Sequence, residues 1–246
     1  MGIDICRTVY PPGYRSGWHG CARAQLIYPA HGVLTIHLER GTWIVPPHRG
    51  CWLPADMRHD VETPFGLEMY SAYCGGAVLD RVPQEAGIVV VSDLLRAALL
   101  ALAAPGTRSD RHIANIERVI VDEIAVRTPA PLHLPTLRST RLIAIQAALY
   151  DNPSDGRTLG DWASELGVSP RTLAREFRSD AHTTFSQYRA QVRLHKAVEC
   201  LAAGQAVTTI AYDLGFSSPS NFIAMFRKAT GATPGAYYAA DGAVAG

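Results

Sequence analysis

Up to about residue 91 the apolar positions fall in short runs broken by Gly and Pro: QLIY (25–28), GVLTIHLE (32–39), TWIVP (42–46), CWLP (51–54), RHDVE (58–62), LEMYSAY (67–73) and GIVVV (87–91). Runs this short and this evenly spaced predict the strands of a small barrel or sandwich. The texture changes at Ser92. Ser92-Asp93 caps the amphipathic run DLLRAALLALAA, which stops at Pro105-Gly106, and Ser109-Asp110 opens a second, RHIANIERVIVDEIAVR. Both carry helix-start signals, and together they predict a helical hairpin over 92–127. TPAPLHLP (128–135) holds three prolines and no charge. It cannot continue a helix, so 128–137 is expected to link two folding units. Everything from 138 to 246 reads helical. The expected class is α+β: a β-rich domain over 1–91, the hairpin, the linker and an all-α domain.

The helical half contains a repeat. Ala163 and Gly167 are followed by Leu173 and Phe177, and Ala211 and Gly215 by Phe222 and Phe226. A small residue four before a glycine lets two helices approach closely, and the glycine permits the left-handed turn between them, as in a helix-turn-helix. After each turn comes a capping serine with proline at the first helical position, Ser169-Pro170 and Ser218-Pro219. Between the copies, 184–203 has no Gly or Pro. Twenty helical residues span roughly 30 Å. That is close to the roughly 34 Å between successive major-groove entries on one face of DNA, so one chain would carry two recognition helices at a readable separation.

Composition narrows the function classes. The chain is 48% apolar, enough for a real core, and its net charge is +1, which excludes a polyanion-coating protein but not a local basic face. Residues 1–135 carry 12 basic and 13 acidic side chains, and 136–246 carry 11 and 9, so the basic excess lies in the helical half. Five scattered cysteines without a C-x-x-C pair do not form a disulfide framework and fit a reducing compartment. The longest apolar run, AALLALAA at 97–104, is too short to span a bilayer. A cytoplasmic protein with no membrane partner is expected.

LGDWASELGVSPRTLAREFRSD (159–180), RLHKAVECLAAG (193–204) and IAYDLGFSSPSNFIAMFRKATGATPGAYY (210–238) resemble the DNA-binding domain of AraC/XylS transcription regulators. The resemblance implies double-stranded operator DNA as a partner, and RNA polymerase too if the protein activates. His182 stands where the family has Gly closing the first recognition helix, a left-handed position His tolerates better than branched residues do. With Leu173 and Phe177 inward, Ser169, Arg171, Thr172, Arg175 and Arg178 face outward as DNA contacts. Arg171 and Arg175 are placed for guanine, and the hydroxyls for phosphate. With Phe222 and Phe226 inward, the second helix offers Ser218, Ser220, Asn221, Arg227 and Lys228, a weaker surface for base reading.

The N-terminal half resembles cupins over about 10–75. Gly13, His19, Cys21, Gln25 and Gly32 follow the spacing of the first cupin motif, and Pro54, Asp56 and His59 that of the second, within WIVPPHRGCWLPADMRH (43–59). Cys21 replaces a His, Gln25 a Glu and Asp56 a turn Gly. The resemblance implies a cupin-like barrel that senses a small-molecule effector through His19, Cys21, Gln25 and His59. Positions 19, 21 and 25 share a face if one regular strand carries them. His19, Cys21 and His59 are candidate ligands for a divalent metal such as Zn, although an amide at 25 is a poor donor. His31, His37 and His48 fit neither motif's spacing. Two alternatives stay open, a cupin metalloenzyme and a ligand-free dimerisation barrel. The missing carboxylate argues against an enzyme. A homodimer is expected through the hairpin at Leu95, Leu99 and Leu102, unless those helices simply cover the barrel.

Overall fold

The computed structural model describes residues 2–39, 41–46, 49–106, 108–126, 133–230 and 232–239, with side chains placed to Tyr237 at the C-terminal end. His48 and positions 128–132 of the expected linker lie outside the described residues. The chain divides into two compact units, one of residues 1–38 and 45–130, the other of 39–44 and 131–246.

In the first unit, strands β1 (Gly2–Tyr10), β3 (Ala24–Gly32), β6 (Arg49–Leu53), β8 (Leu67–Gly75) and β9 (Gly87–Val90) form an antiparallel sheet in the order β1-β8-β3-β6-β9. Strands β2 (Tyr14–Arg15), β4 (Leu34–Leu38) and β7 (His59–Thr63) pair in the order β4-β7-β2. Alternation along the first sheet separates two faces. Ala24, Leu26, Tyr28, Trp52, Tyr70, Ala72 and Cys74 share one core with helices α1 (Asp93–Ala103) and α2 (Asp110–Ala125). Ile27, Cys51, Leu53, Met69 and Ser71 are equally buried on the other face. The sheet is therefore covered on both sides, as in a sandwich.

The predicted caps form. Ser92 Oγ accepts from Leu95 N at 3.0 Å, and Ser109 Oγ from His112 N at 3.3 Å. The dimer expectation at Leu95, Leu99 and Leu102 needs correction. Leu95 and Leu99 are buried against Ile120, Val121 and Ile124 in the sheet core, and Leu102 packs at its edge. Their apolar stripe is already satisfied within the chain, so α1 and α2 cover the sheet.

Strand β1 was not among the predicted runs. It pairs with β8 along its whole length, and Glu117 of α2, itself buried, accepts from Ile3 N at 2.9 Å.

In the second unit, β10 (His133–Pro135) lies in the stretch expected to be a linker and pairs with β5 (Gly41–Val45). Helices follow at α3 (Thr140–Asp151), α4 (Leu159–Glu165), α5 (Pro170–Asp180), α6 (Phe185–Ala202), α7 (Val207–Asp213), α8 (Pro219–Thr230) and α9 (Pro234–Ala239). Leu173 and Phe177 of α5 enter a core with Trp162, Ala163, Phe185, Tyr188 and Val192. Phe222 and Phe226 of α8 are fully buried. Thr184 and Gln187 form a capping box that starts α6.

Candidate nucleic-acid interface and effector site

Of the four positions singled out in the N-terminal half, the structure brings two together. His19 N donates to His59 O at 2.9 Å and His59 N to His19 O at 2.8 Å, an isolated bridge that sets the rings 4.3 Å apart with a 55° tilt. Each ring's Nδ1 meets a backbone carbonyl, Gly17 O at 2.8 Å for His19 and Met57 O at 3.0 Å for His59. A carbonyl only accepts, so both rings carry a proton on Nδ1, and a neutral His59 keeps its lone pair on Nε2. His59 is 2% exposed, and its Nε2 is buried without a hydrogen-bond partner among the described residues. Burial pushes the His59 pKa below its ordinary 6.5, the Met57 carbonyl opposes this, and the nearby His19 lowers it further.

Cys21 and Gln25 do not join them. Strand β3 begins only at Ala24, and residues 20–23 are irregular, which breaks the period-two count that put 19, 21 and 25 on one face. The Cys21 carbonyl accepts from Asp56 N at 2.7 Å. Gln25 Nε2 donates to Ser71 Oγ at 2.9 Å within the sheet. Among the described residues no group of three or more His, Cys, Asp or Glu is placed to hold a metal ion. Zinc needs three or four protein donors, so the expected set of His19, Cys21 and His59 does not fit a resident metal. Beside the histidine pair lie groups the motif spacing did not flag: Arg15 Nε donates to Asp60 Oδ2 at 2.6 Å, and Ser16 Oγ accepts from Val61 N at 2.9 Å.

In the helical unit the turns form as the repeat predicts. Gly167 and Gly215 adopt φ of 64° and 77°. Ser169 Oγ caps α5 by accepting from Thr172 N at 3.1 Å, and it also meets Thr172 Oγ1 at 2.9 Å. Arg171, Arg175 and Arg178 are exposed opposite Leu173 and Phe177, and none of the three pairs with a carboxylate among the described residues. Four other arginines of this unit are engaged. Arg141 binds Glu176 at 2.9 Å, Arg157 binds Asp155 at 2.6 Å, and Arg189 and Arg193 donate to backbone carbonyls. On α8, Ser218 Oγ accepts from Asn221 N at 3.3 Å, and Asn221 Nδ2 donates to Ser217 Oγ at 2.9 Å. Ser220, Arg227 and Lys228 are exposed and, with Ile223, Ala224 and Thr233, line an open concavity of about 660 Å³.

Residues 3–125 match the family described as AraC-like ligand binding domain, and residues 162–240 match the helix-turn-helix domain family. Over 223 residues the chain is 30% identical to the HTH-type transcriptional regulator NimR of Escherichia coli (strain K12), covering 90% of this chain and 81% of that one. The chain belongs to the AraC family of transcriptional regulators. A second relative, the HTH-type transcriptional regulator RipA of Corynebacterium glutamicum, is 36% identical over 123 residues, which is 50% of this chain and 35% of that protein. Among solved structures, ToxT from Vibrio cholerae superposes with a TM-score of 0.40 at 11% identity, covering 96% of this chain and 98% of its own.

As an AraC-family regulator the chain joins an N-terminal ligand-binding domain to a C-terminal helix-turn-helix domain that binds DNA. No helix of the described residues is long and apolar enough to cross a membrane. None of its five cysteines is disulfide-bonded. The segment between α3 and α4, with Arg189 and Arg193 bound to it, was missed by motif reading. Its one sequence signal is the Asn152-Pro153 and Gly156 turn punctuation.

Proposed function

We propose that this regulator reads operator DNA chiefly through α5, with α8 as a weaker second reader, and meets its small-molecule effector at the His19–His59 pair. The observation that carries the DNA reading is the set of exposed arginines on α5 that pair with no carboxylate among the described residues, where Arg141, Arg157, Arg189 and Arg193 of the same unit are engaged. Arg171 and Arg175 present guanidinium forks to base edges, while Arg178, Ser169 and Thr172 take phosphates. On α8, Arg227, Lys228, Ser218 and Ser220 hold the backbone. Asn221 reads less freely than an unbound amide because Ser217 takes one of its hydrogens.

The effector reading rests on the His59 Nε2 lone pair. It is buried and has no partner among the described residues, so it favours a ligand that donates an O–H or N–H. Gln25 contributes through Ser71 as support for the sheet, and Cys21 through the turn at Asp56. The chain acts as a cytoplasmic regulator and not as an enzyme, because Gln25 stands where catalytic cupins place a carboxylate. It works as a homodimer, through the outward face of α1, where Leu94 is 56% exposed, and it contacts RNA polymerase if it activates.

The test is a titration of the full chain onto duplex DNA at rising salt. Affinity should fall linearly on logarithmic axes, with a slope of about −0.9 per phosphate contacted. Affinity indifferent to salt would count against the interface. In a reporter strain His59→Gln should silence the response to inducer while operator binding stays intact. An unchanged response removes the histidine pair from the effector site.

A further inference from the structure

The two recognition helices hang on one rod, but the rod alone does not fix how they face. Helix α6 passes into α7 through Gly204 at φ 75°, followed by Gln205 and Ala206. A rod sets a distance and leaves rotation about its end to whatever else holds the second helix-turn-helix. Helices α7 and α9 pack against α6, and the loop between α3 and α4, residues 152–158, adds a further hold.

The loop touches three elements. Toward the first helix-turn-helix, the Arg157 guanidinium binds Glu165 of α4 at 2.5 Å and stacks 3.5 Å from the Trp162 ring centre. Toward α6, the Arg157 carbonyl accepts from Arg189 Nη1 at 3.1 Å, and the Pro153 carbonyl accepts from Arg193 Nε at 2.9 Å. Toward the second, Gly215 lies so close to Ser154 that a Cβ at 215 would sit 2.9 Å from the Ser154 Cα, and Arg193 reaches over the Phe216 ring at 5.5 Å. The loop is braced from within. Asn152 Oδ1 accepts from Ser154 Oγ at 2.6 Å, and Asp155 binds both the backbone and the side chain of Arg157. Gly215 thus has two jobs, the left-handed turn before α8 and the close approach to Ser154.

We propose that the 152–158 loop is a clasp that fixes the angle between α5 and α8, with Arg193 and Gly215 as positioning residues that determine which half-site spacing the chain accepts on DNA. The proposal rests on the reading that both helices contact DNA. Inserting one base pair turns the second half-site by roughly 34° about the duplex axis, given about 10.5 base pairs per turn. A clasped pair of helices cannot follow that rotation, and an unclasped pair can.

The experiment selects a site from random duplexes with the full wild-type chain, then measures affinity on versions with base pairs inserted or deleted between the halves. Wild-type affinity should drop about tenfold or more for one inserted pair, since the second half then no longer adds to the first. Arg193→Ala should shrink that penalty to about threefold or less while binding to the first half-site alone stays within about twofold. Gly215→Ala, which pushes Ser154 away, should move the profile in the same direction. If Arg193→Ala does not fold, Arg193→Lys, which keeps a donor for Pro153 but leaves the Phe216 ring, makes the same comparison. A spacing profile identical to wild type overturns the clasp and leaves the DNA reading standing. Equal losses on half-site and full site mean plain destabilisation and overturn it as well. Selection of one uninterrupted half-site by the wild-type chain overturns base reading by α8, and the clasp with it.

Discussion

At the residue scale, His182 and Asp56 show how a motif position can outlive its usual residue. They are the two non-glycine residues with positive φ among the described residues, at 52° and 61°, and both stand where the resembled motifs have Gly. Short polar and aromatic side chains visit this region more readily than branched ones, so both turns survive the exchange. The arginines of α5 make a sharper test. Arg175→Ala, or Arg171→Ala, should lower affinity by about 1–3 kcal/mol and relax the preference at one base pair, as measured on a set of single-base operator variants. An equal loss on every sequence would move that arginine to the phosphates.

The His59 pKa also has a consequence for stability. Folded His59 binds its proton less readily than an ordinary histidine, mainly because burial disfavours the charged form. Above about pH 6.5 both folded and unfolded states hold it neutral. Below that, the unfolded chain takes up a proton the folded chain refuses, so stability falls until the folded pKa is passed. Asp60 does not share this window. Burial pulls its carboxyl upward, but Arg15 holds it below its ordinary 3.8, so it stays ionised. The melting temperature of wild type should therefore fall more than that of His59→Gln between roughly pH 7 and 5.5. Superimposable profiles would remove His59 as the cause.

At the scale of elements, the helices were legible because their signals are local. Ser92, Ser109, Ser169 and Ser218 each begin a helix where capping chemistry places it, and α5 and α8 start at the prolines that follow. Strand β1 was not legible. GIDICRTVY alternates too weakly for an apolar face, and its extended form comes from pairing with β8 and from Glu117 holding Ile3, partners far away in sequence. Helix α1 shows the opposite limit. Its apolar stripe was visible, but not what it faces. Leu99, 1% exposed, packs in the sheet core, so Leu99→Ala should destabilise the chain by about 2–5 kcal/mol in denaturant melts without altering its sedimentation. Dissociation of an oligomer with little loss of stability would return Leu99 to an interface.

At the scale of the whole molecule, the homodimer proposal now rests on the outward side of α1. Leu94→Asp should leave the melt within about 0.5 kcal/mol of wild type, as exposed substitutions usually do, and convert a dimer at micromolar concentration to a monomer in sedimentation. A wild-type monomer under those conditions sinks the proposal.

The sequence by itself determined the class of the fold, the change from strands to helices at Ser92, both helix-turn-helix repeats and the outward set on α5. Each of these is written in periodicity, caps and turns, which act over a few residues. Tertiary structure alone decided which polar groups meet. Spacing along the chain converts to distance in space only while the backbone is regular, and it is not regular between His19 and Ala24, so His19 found His59 while Cys21 and Gln25 went elsewhere. The same holds for the clasp. Ser154 and Gly215 share no motif and no period, and only the folded chain puts their backbones in contact.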